Sequence, residues 1–228
     1  MDEAAVIIGA SGGIGAAITE RLQSSGHFAV VHAFSRSGGS IDIEDEGSIA
    51  AAAAIVAAGP PPALVIVASG VLHSGQVPER TYRAMTAEHL LRDYRVNTVG
   101  PALVMKHFAP LLPRDRRAVF AALSARVGSI GDNRLGGWHS YRASKAALNM
   151  LLRNLSVELA RSHPLAVVVG LHPGTVDSGL SEPFQKGVAP GKLFTPEYSA
   201  ARLLEVLDAL TPAESGGVYA WDGSPVPA

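Results

Sequence analysis

The sequence predicts an α/β fold: a doubly wound parallel β-sheet of about seven strands with helices on both faces. Three observations carry this. Apolar runs of strand length recur along the chain. Stretches of helix length separate them. The runs lack the polar alternation of a sheet with one wet face, which places them between two helical layers. At 228 residues the chain is sized for one domain, 1–228, with a substantial core.

Val6-Ile7-Ile8, preceded by Ala4-Ala5, is the first strand, and a helix is expected over 14–30. The run at 28–34 gives the second strand, and Ser40-Ile41-Asp42-Ile43 a short third. A helix over 44–58 leads to a fourth strand at 64–68. A helix over 86–112 precedes the fifth strand, 118–123. A long helix over 140–162 precedes the sixth, 166–172. The last helix, 196–210, starts at Thr195-Pro196-Glu197: a capping hydroxyl, proline at the first position, then an acid. Gly217-Val218-Tyr219-Ala220 closes the sheet as the seventh strand. Helix 140–162 is apolar nearly all round at 146–152, which predicts burial on both sides. One side faces the sheet. The other, with the apolar face of 99–112, suits a second subunit, so a homodimer or homotetramer is expected.

Lys plus Arg is 19 and Asp plus Glu is 20, a formal net charge of −1. That balance gives no broad attraction to nucleic acid or an anionic membrane. The chain has no cysteine, which excludes disulfides, thiolate catalysis and thiolate-bound metal. Its eight histidines form no HExxH pattern, and no metal site is expected. The apolar stretch 50–71 is broken by Gly59 and Pro60-Pro61-Pro62, so it is no membrane span. Met1-Asp2-Glu3 is acidic where a secretory leader is basic, and a cytoplasmic location is expected.

Residues 9–15 read GASGGIG, between the first strand and the first helix. This is the place of the first turn of a Rossmann-type sheet, where backbone N–H groups and the positive helix end can bind a pyrophosphate. Gly9 permits the turn, Gly13 a close approach, and Gly15 the packing of helix on strand. Ser11, Gly12 and Ile14 complete the loop. No Gly-Lys-Ser/Thr follows, which argues against an NTP-hydrolysing P-loop. A tight turn is the alternative reading.

A second signal lies at Ser140-Tyr141-Arg142-Ala143-Ser144-Lys145. A spacing of four puts Tyr141 and Lys145 on one helical face. A nearby ammonium favours the phenolate and lowers a tyrosine pKa from its reference near 10. That is the tuning a general acid or base needs. An ordinary exposed Tyr/Lys pair has the same spacing.

Together the two signals resemble the short-chain dehydrogenase/reductase family. The loop is similar to its Gly-x-x-x-Gly-x-Gly, and Tyr141 and Lys145 to its Tyr-x-x-x-Lys. Asn97 in Val96-Asn97-Thr98 matches the family's helix asparagine. Ala68-Ser69-Gly70 stands in the place of Asn-Asn-Ala-Gly and keeps only the glycine. His172-Pro173-Gly174-Thr175-Val176 matches the Pro-Gly turn after the sixth strand. The resemblance covers about 4–224, and within the family it is closest to small carbonyl reductases and the bacterial C-factor group.

The resemblance implies hydride transfer between a nicotinamide and a carbonyl or alcohol. Tyr141 is then the general acid or base, and Lys145 lowers its pKa and holds the nicotinamide ribose. Asn97 anchors a proton-relaying water. Gly9, Ser11, Gly12, Gly13, Ile14, Gly15, Ala68, Ser69, Gly70, Asn97, Tyr141, Lys145, Pro173, Gly174, Val176 and Ser178 bind the dinucleotide. Val176 offers backbone to the carboxamide, and Ser178 covers the pyrophosphate. Residues 179–192 read as a mobile loop over the substrate.

The serine that holds the substrate oxygen in the family is the second of a Ser-Ser pair, three residues before a glycine. In Leu123-Ser124-Ala125-Arg126-Val127-Gly128 that count lands on Ala125. Ser124 is assigned the role through a one-residue shift, ahead of Ser129. If neither hydroxyl reaches, the oxygen falls to Tyr141 alone. The second strand ends in Phe34-Ser35-Arg36-Ser37, with no acid for a ribose 2′-hydroxyl. Arg36, with Ser35, suits a 2′-phosphate, so NADP(H) is expected over NAD(H). Asp42 and Ile43 match the family's adenine-side pair, and a turn or cap is the other reading of Asp42. Two functions stand: an NADP-dependent carbonyl reductase or alcohol dehydrogenase, and a dinucleotide-binding signalling protein of C-factor type with little turnover.

Overall fold

The computed structural model describes residues 2–73 and 77–228. Strand β1, Ala4–Ile8, is buried throughout and sits one strand in from the edge of a six-stranded sheet. The other strands are β2 (Val30–Phe34), β3 (Pro62–Val67), β4 (Ala118–Leu123), β5 (Ala166–His172) and β8 (Val218–Ala220). Their order is β2-β1-β3-β4-β5-β8 and every pairing is parallel. The strand order reverses between β1 and β3, which opens a crevice at the carboxyl ends of these strands. A separate pair, β6 (Thr175–Val176) with β7 (Leu193–Phe194), anchors the excursion between them.

Helices α1 (Gly13–Ser25) and α6 (Pro196–Ala209) cover one face, with Ile18, Leu22, Leu203 and Leu207 against Ile7, Ile66 and Val169. Helices α2 (Glu46–Ala57), α4 (Gly100–Phe108) and α5 (His139–Leu159) cover the other, with Ile49, Phe108 and Leu148 against Val6, Val65 and Phe120. Helix α3 (Ala87–Tyr94) packs on α5.

Six of the seven expected strands form. The expected third, Ser40-Ile41-Asp42-Ile43, is a turn instead. Ser40 bonds back to the N–H and carbonyl of Ser35, and Asp42 Oδ1 accepts from Glu44 N–H at 3.0 Å, so the chain curls into α2 rather than extending. Only Ile41 there is fully buried, as a core plug. The helix expected over 14–30 stops at Ser25, because Gly26 adopts φ 63° and caps it.

The helix expected over 86–112 is interrupted by a π-turn, Arg95–Val99. Pro101 has no N–H to give to the carbonyl of residue 97. The backbone widens, and Gly100 N–H reaches Arg95 O, five residues back. Helix α5 was expected to be buried on both sides. Leu148, Leu152 and Leu159 face the sheet, but Met150 is 61% and Val157 48% exposed, beside Arg153 and Asn154. Its apolar run is one buried stripe and a partly exposed one.

Candidate active site

The glycine loop is shaped by close approach. A Cβ on Gly9 would stand 2.7 Å from Ser69 N, and Gly9 itself has φ 91°. A Cβ on Gly15 would collide with Gly9 O. Gly13 lines the inner cleft, and a Cβ there would meet only ordinary contacts with Ser178 and Pro196. Gly12 precedes α1 with no side-chain cap, so the first-turn N–H groups of α1 face the crevice with its positive end.

One cleft runs from this loop in two parts. The outer part, about 570 Å³, is lined by Gly9, Ser11, Gly12, Arg36, Asp42, Ile43, Ala68, Ser69 and Gly70 among others. The inner part, about 410 Å³, shares Ser11, Gly12 and Ala68, Ser69, Gly70, and adds Gly13, Ile14, Gly15, Ser124, Tyr141, Lys145, Pro173 and Ser178. A third cavity of about 230 Å³ opens beyond it, walled by Leu72, Val127, Trp138, Tyr141 and Phe184, with Gly174 and Val176. Ser69 Oγ is buried in the cleft wall with no hydrogen-bond partner among the described residues.

Ser35 does not line the cleft. Its hydroxyl accepts from Gly38 N–H at 3.1 Å and shapes the turn, while Ser37 faces the space beside Arg36. Asp42 lines the cleft and also makes the turn into α2, so both of its readings are realised.

Tyr141 and Lys145 lie one turn apart on α5, and both are buried. Lys145 Nζ is 5.8 Å from the Tyr141 ring centroid and donates to Leu123 O at 2.8 Å. Burial pushes the Lys145 ammonium down to about 8, against the opposing pull of Asp93. Burial, then the charge of Asp93, pushes the Tyr141 phenol above its ordinary range. This reverses the direction expected from the lysine. In this dry site the cost of charging the phenol dominates.

Asn97 stands behind the cleft, fully buried in the π-turn. Its side chain accepts from Val71 N–H at 2.9 Å and donates to Val71 O at 2.8 Å and Ser144 Oγ at 3.1 Å. A Cβ on Gly70 would touch both Asn97 Oδ1 and Lys145 Nζ, at 3.4 and 3.5 Å. Asn97 thus ties the loop after β3 to the helix that carries the lysine.

Ser124 lines the inner cleft and the third cavity with Tyr141. Its hydroxyl donates to Asn149 Oδ1 at 2.6 Å, one turn beyond Lys145. Ala125 packs against Tyr141 and Leu72. Ser124 and Ala125 both line the third cavity with Tyr141, and the Ser124 hydroxyl is turned to Asn149. Ser129 is also engaged: its Oγ accepts from Asp132 N–H at 3.0 Å. The carbonyl of Val176 accepts from the Ser178 hydroxyl at 3.3 Å and from that of Ser181.

The segment expected as a loop over the substrate folds across the third cavity. It contains a short helical stretch, Glu182–Gly187, that brings Phe184 to 5.0 Å from Trp138. Trp138 in turn lies edge-on to Tyr141 at 6.3 Å. His73 Nε2 meets Gly179 O at 2.7 Å and joins this segment to the loop after β3. Sequence reasoning missed Leu72, Phe184 and Val127 as cavity walls, since they reach the site from three separate loops. His172, on the same wall, is pushed down to about 4 by burial and then by Arg126, so its imidazole is neutral at pH 7.

Among the described residues no group of metal-ligating side chains is assembled, and no helix is long and apolar enough to cross a membrane.

Comparison with known proteins gives a family match over residues 3–189, described as short chain dehydrogenase. A 1-hydroxy-2-glutathionyl-2-methyl-3-butene dehydrogenase of a Rhodococcus species is 39% identical over 135 residues, 58% of this chain and 56% of that one. The C-signal protein of Myxococcus xanthus is 33% identical over 138 residues, 60% of this chain and 78% of that one. An uncharacterised oxidoreductase of Schizosaccharomyces pombe is 35% identical over 144 residues, 59% of this chain and 56% of that one. The matches thus span little more than half the length of the Rhodococcus and S. pombe relatives. Among solved structures, an NADPH-bound carbonyl reductase from chicken fatty liver superposes with a TM-score of 0.77 at 26% identity, covering 100% and 99% of the two chains. The carbonyl reductase Sniffer of D. melanogaster superposes at 0.81 and 21%, covering all of both, which shows a shared fold.

Proposed function

The chain belongs to the short-chain dehydrogenase family, and from that premise we propose that it is an NADP-dependent oxidoreductase acting on a small carbonyl or alcohol. One observation carries the proposal. Tyr141 stands where the glycine-lined cleft meets a small apolar cavity, and Lys145 lines the cleft with it. The cleft has features that support dinucleotide binding: N–H groups at the start of α1, a glycine cradle that a Cβ would fill, and in its lining Arg36, a guanidinium suited to a phosphate. The bound nicotinamide supplies the hydride. The residues of this chain do the rest.

Tyr141 gives the carbonyl oxygen its proton during reduction. A phenol held above its ordinary range is in the protonated form this step needs. Lys145 stands beside it, and stabilises the phenolate left behind. Asn97 keeps Gly70 and Lys145 in register. With the Ser124 hydroxyl committed to Asn149, the substrate oxygen rests on Tyr141 alone. The third cavity, about 230 Å³ and walled by Leu72, Val127, Trp138 and Phe184, suits a small apolar substrate. Arg36 and the lack of an acid at the end of β2 favour NADP(H) over NAD(H). Exposed Met150, Val157 and Leu91 on α5 and α3 suit association of like subunits.

A second reading has support of its own: a dinucleotide-binding signalling protein with little turnover. Ala125 in the serine's place favours it, as does the similarity to C-signal. Consumption of NADPH across a panel of small aldehydes and ketones separates the two. Turnover by the wild-type protein supports the reductase. NADPH binding without consumption supports the signalling protein.

A further inference from the structure

The end of α5 that carries Tyr141 is held from outside the cleft. Trp138 stands at its cap position with φ 50°, in the left-handed region, and offers no side-chain cap. Glu79 supplies one from a distant loop. Both of its carboxylate oxygens lie 3.3 Å from Ser140 N–H, and Oε1 also accepts from the Ser140 hydroxyl. Its main-chain carbonyl accepts from Trp138 N–H at 2.5 Å. Glu79 is 3% and Ser140 0% exposed.

Behind the carboxylate lies a buried array. His89 Nδ1 is 3.6 Å from Glu79 Oε1, and His89 Nε2 is 3.9 Å from Asp93 Oδ2. Arg92 approaches Asp93 Oδ1 at 3.8 Å. Burial by itself would push the Glu79 carboxyl up, but its bonds from Ser140, with His89 adding to them, hold it below the usual range. A carboxylate at a helix amino end complements the dipole and makes strong, short-range bonds to N–H groups. Ser140 directly precedes Tyr141. Fixing both the N–H and the side chain of Ser140 fixes the direction in which the phenol leaves the helix.

We propose that Glu79 is a positioning residue for Tyr141, clamping the first turn of α5 through Ser140 and Trp138. The kinetic consequence rests on the reductase reading; the clamp itself does not. A misplacement of about 1 Å can cost about a hundredfold in rate. Glu79→Ala therefore lowers kcat roughly tenfold or more, with NADPH affinity held within about twofold. Glu79→Gln recovers most of the loss, because its amide oxygen accepts from the same N–H and hydroxyl. In hydrogen–deuterium exchange, Glu79→Ala speeds exchange in the first turn of α5 and leaves β4 and β5 protected.

If the wild-type protein reduces no carbonyl, the reductase reading fails and the exchange experiment alone decides the clamp. Unchanged kcat in Glu79→Ala overturns the proposal. So does a parallel fall of kcat and NADPH affinity without rescue by glutamine, or unaltered exchange in α5. Should Glu79→Ala not fold, Ser140→Ala removes one donor and keeps the carboxylate. It is expected to show the same two effects in smaller measure, and the absence of both would overturn the clamp.

Discussion

Ser124 donates its hydroxyl to Asn149 Oδ1 at 2.6 Å, and its neighbour Ala125 lies against Tyr141. Both residues line the cavity beside Tyr141, but the one hydroxyl proton of the pair is donated to Asn149. Ala125 has no hydroxyl to offer. On the reductase reading, a substrate oxygen held by Tyr141 would lack one hydrogen bond.

Restoring it should therefore help. A hydrogen bond contributes about 0.5–1.5 kcal/mol net, or about two- to tenfold in rate. Ala125→Ser is expected to raise kcat for carbonyl reduction by that factor. Steady-state kinetics with one good substrate checks it. An unchanged or lower kcat would mean that position 125 does not face the reacting oxygen.

Arg36 lines the outer cleft beside Ser37, with no acid at the end of β2. A charge-assisted bond to a phosphate contributes about 1.5–3 kcal/mol, or about ten- to a hundredfold in affinity. Arg36→Glu should weaken NADPH binding by that factor and improve NADH binding relative to it. Titration of both cofactors by fluorescence measures this, and an unaltered preference would remove Arg36 from the 2′-phosphate site.

Lys145 gives a pH signature in the cofactor-free protein. Burial lowers its pKa from the ordinary 10.5 to about 8. Between these values the unfolded chain binds more protons than the folded one, so stability rises with pH across about 8 to 10.5. Below about 8 both states are protonated and the lysine is a constant burden on the fold. Tyr141 works in the other direction, but only above its ordinary value of 10, where stability falls. Urea denaturation at pH 7.5 and 9.5 is expected to show this rise in the wild type and its loss in Lys145→Met. Equal pH dependence in the two proteins would show that Lys145 is not dehydrated.

Much of this was written in the sequence, and the gaps have physical reasons. GASGGIG located the cleft because glycine is needed where Gly9 meets Ser69 N and where Gly15 meets Gly9 O. Tyr141 and Lys145 share a face because helical spacing fixes it. The π-turn had a signal in Pro101, which cannot bond to the carbonyl of residue 97, but a 27-residue helical pattern masked it. Ser40 to Ile43 look like a strand, and only the side-chain bonds to Ser35 turn them away. No local rule could pair Ser124 with Asn149, or Glu79 with Ser140, because these contacts join residues 25 and 61 positions apart. The cavity walls Leu72, Val127 and Phe184 have the same character.

The placement of Tyr141 at the junction of cleft and cavity is tested most directly by one substitution. Tyr141→Phe keeps the ring that packs against Trp138 and removes only the hydroxyl. With NADPH and a carbonyl that the wild type reduces, loss of absorbance at 340 nm should slow by about a hundredfold or more, the range of a lost general acid. Cofactor binding should persist. A variant that consumes NADPH at the wild-type rate would contradict the role given to this phenol.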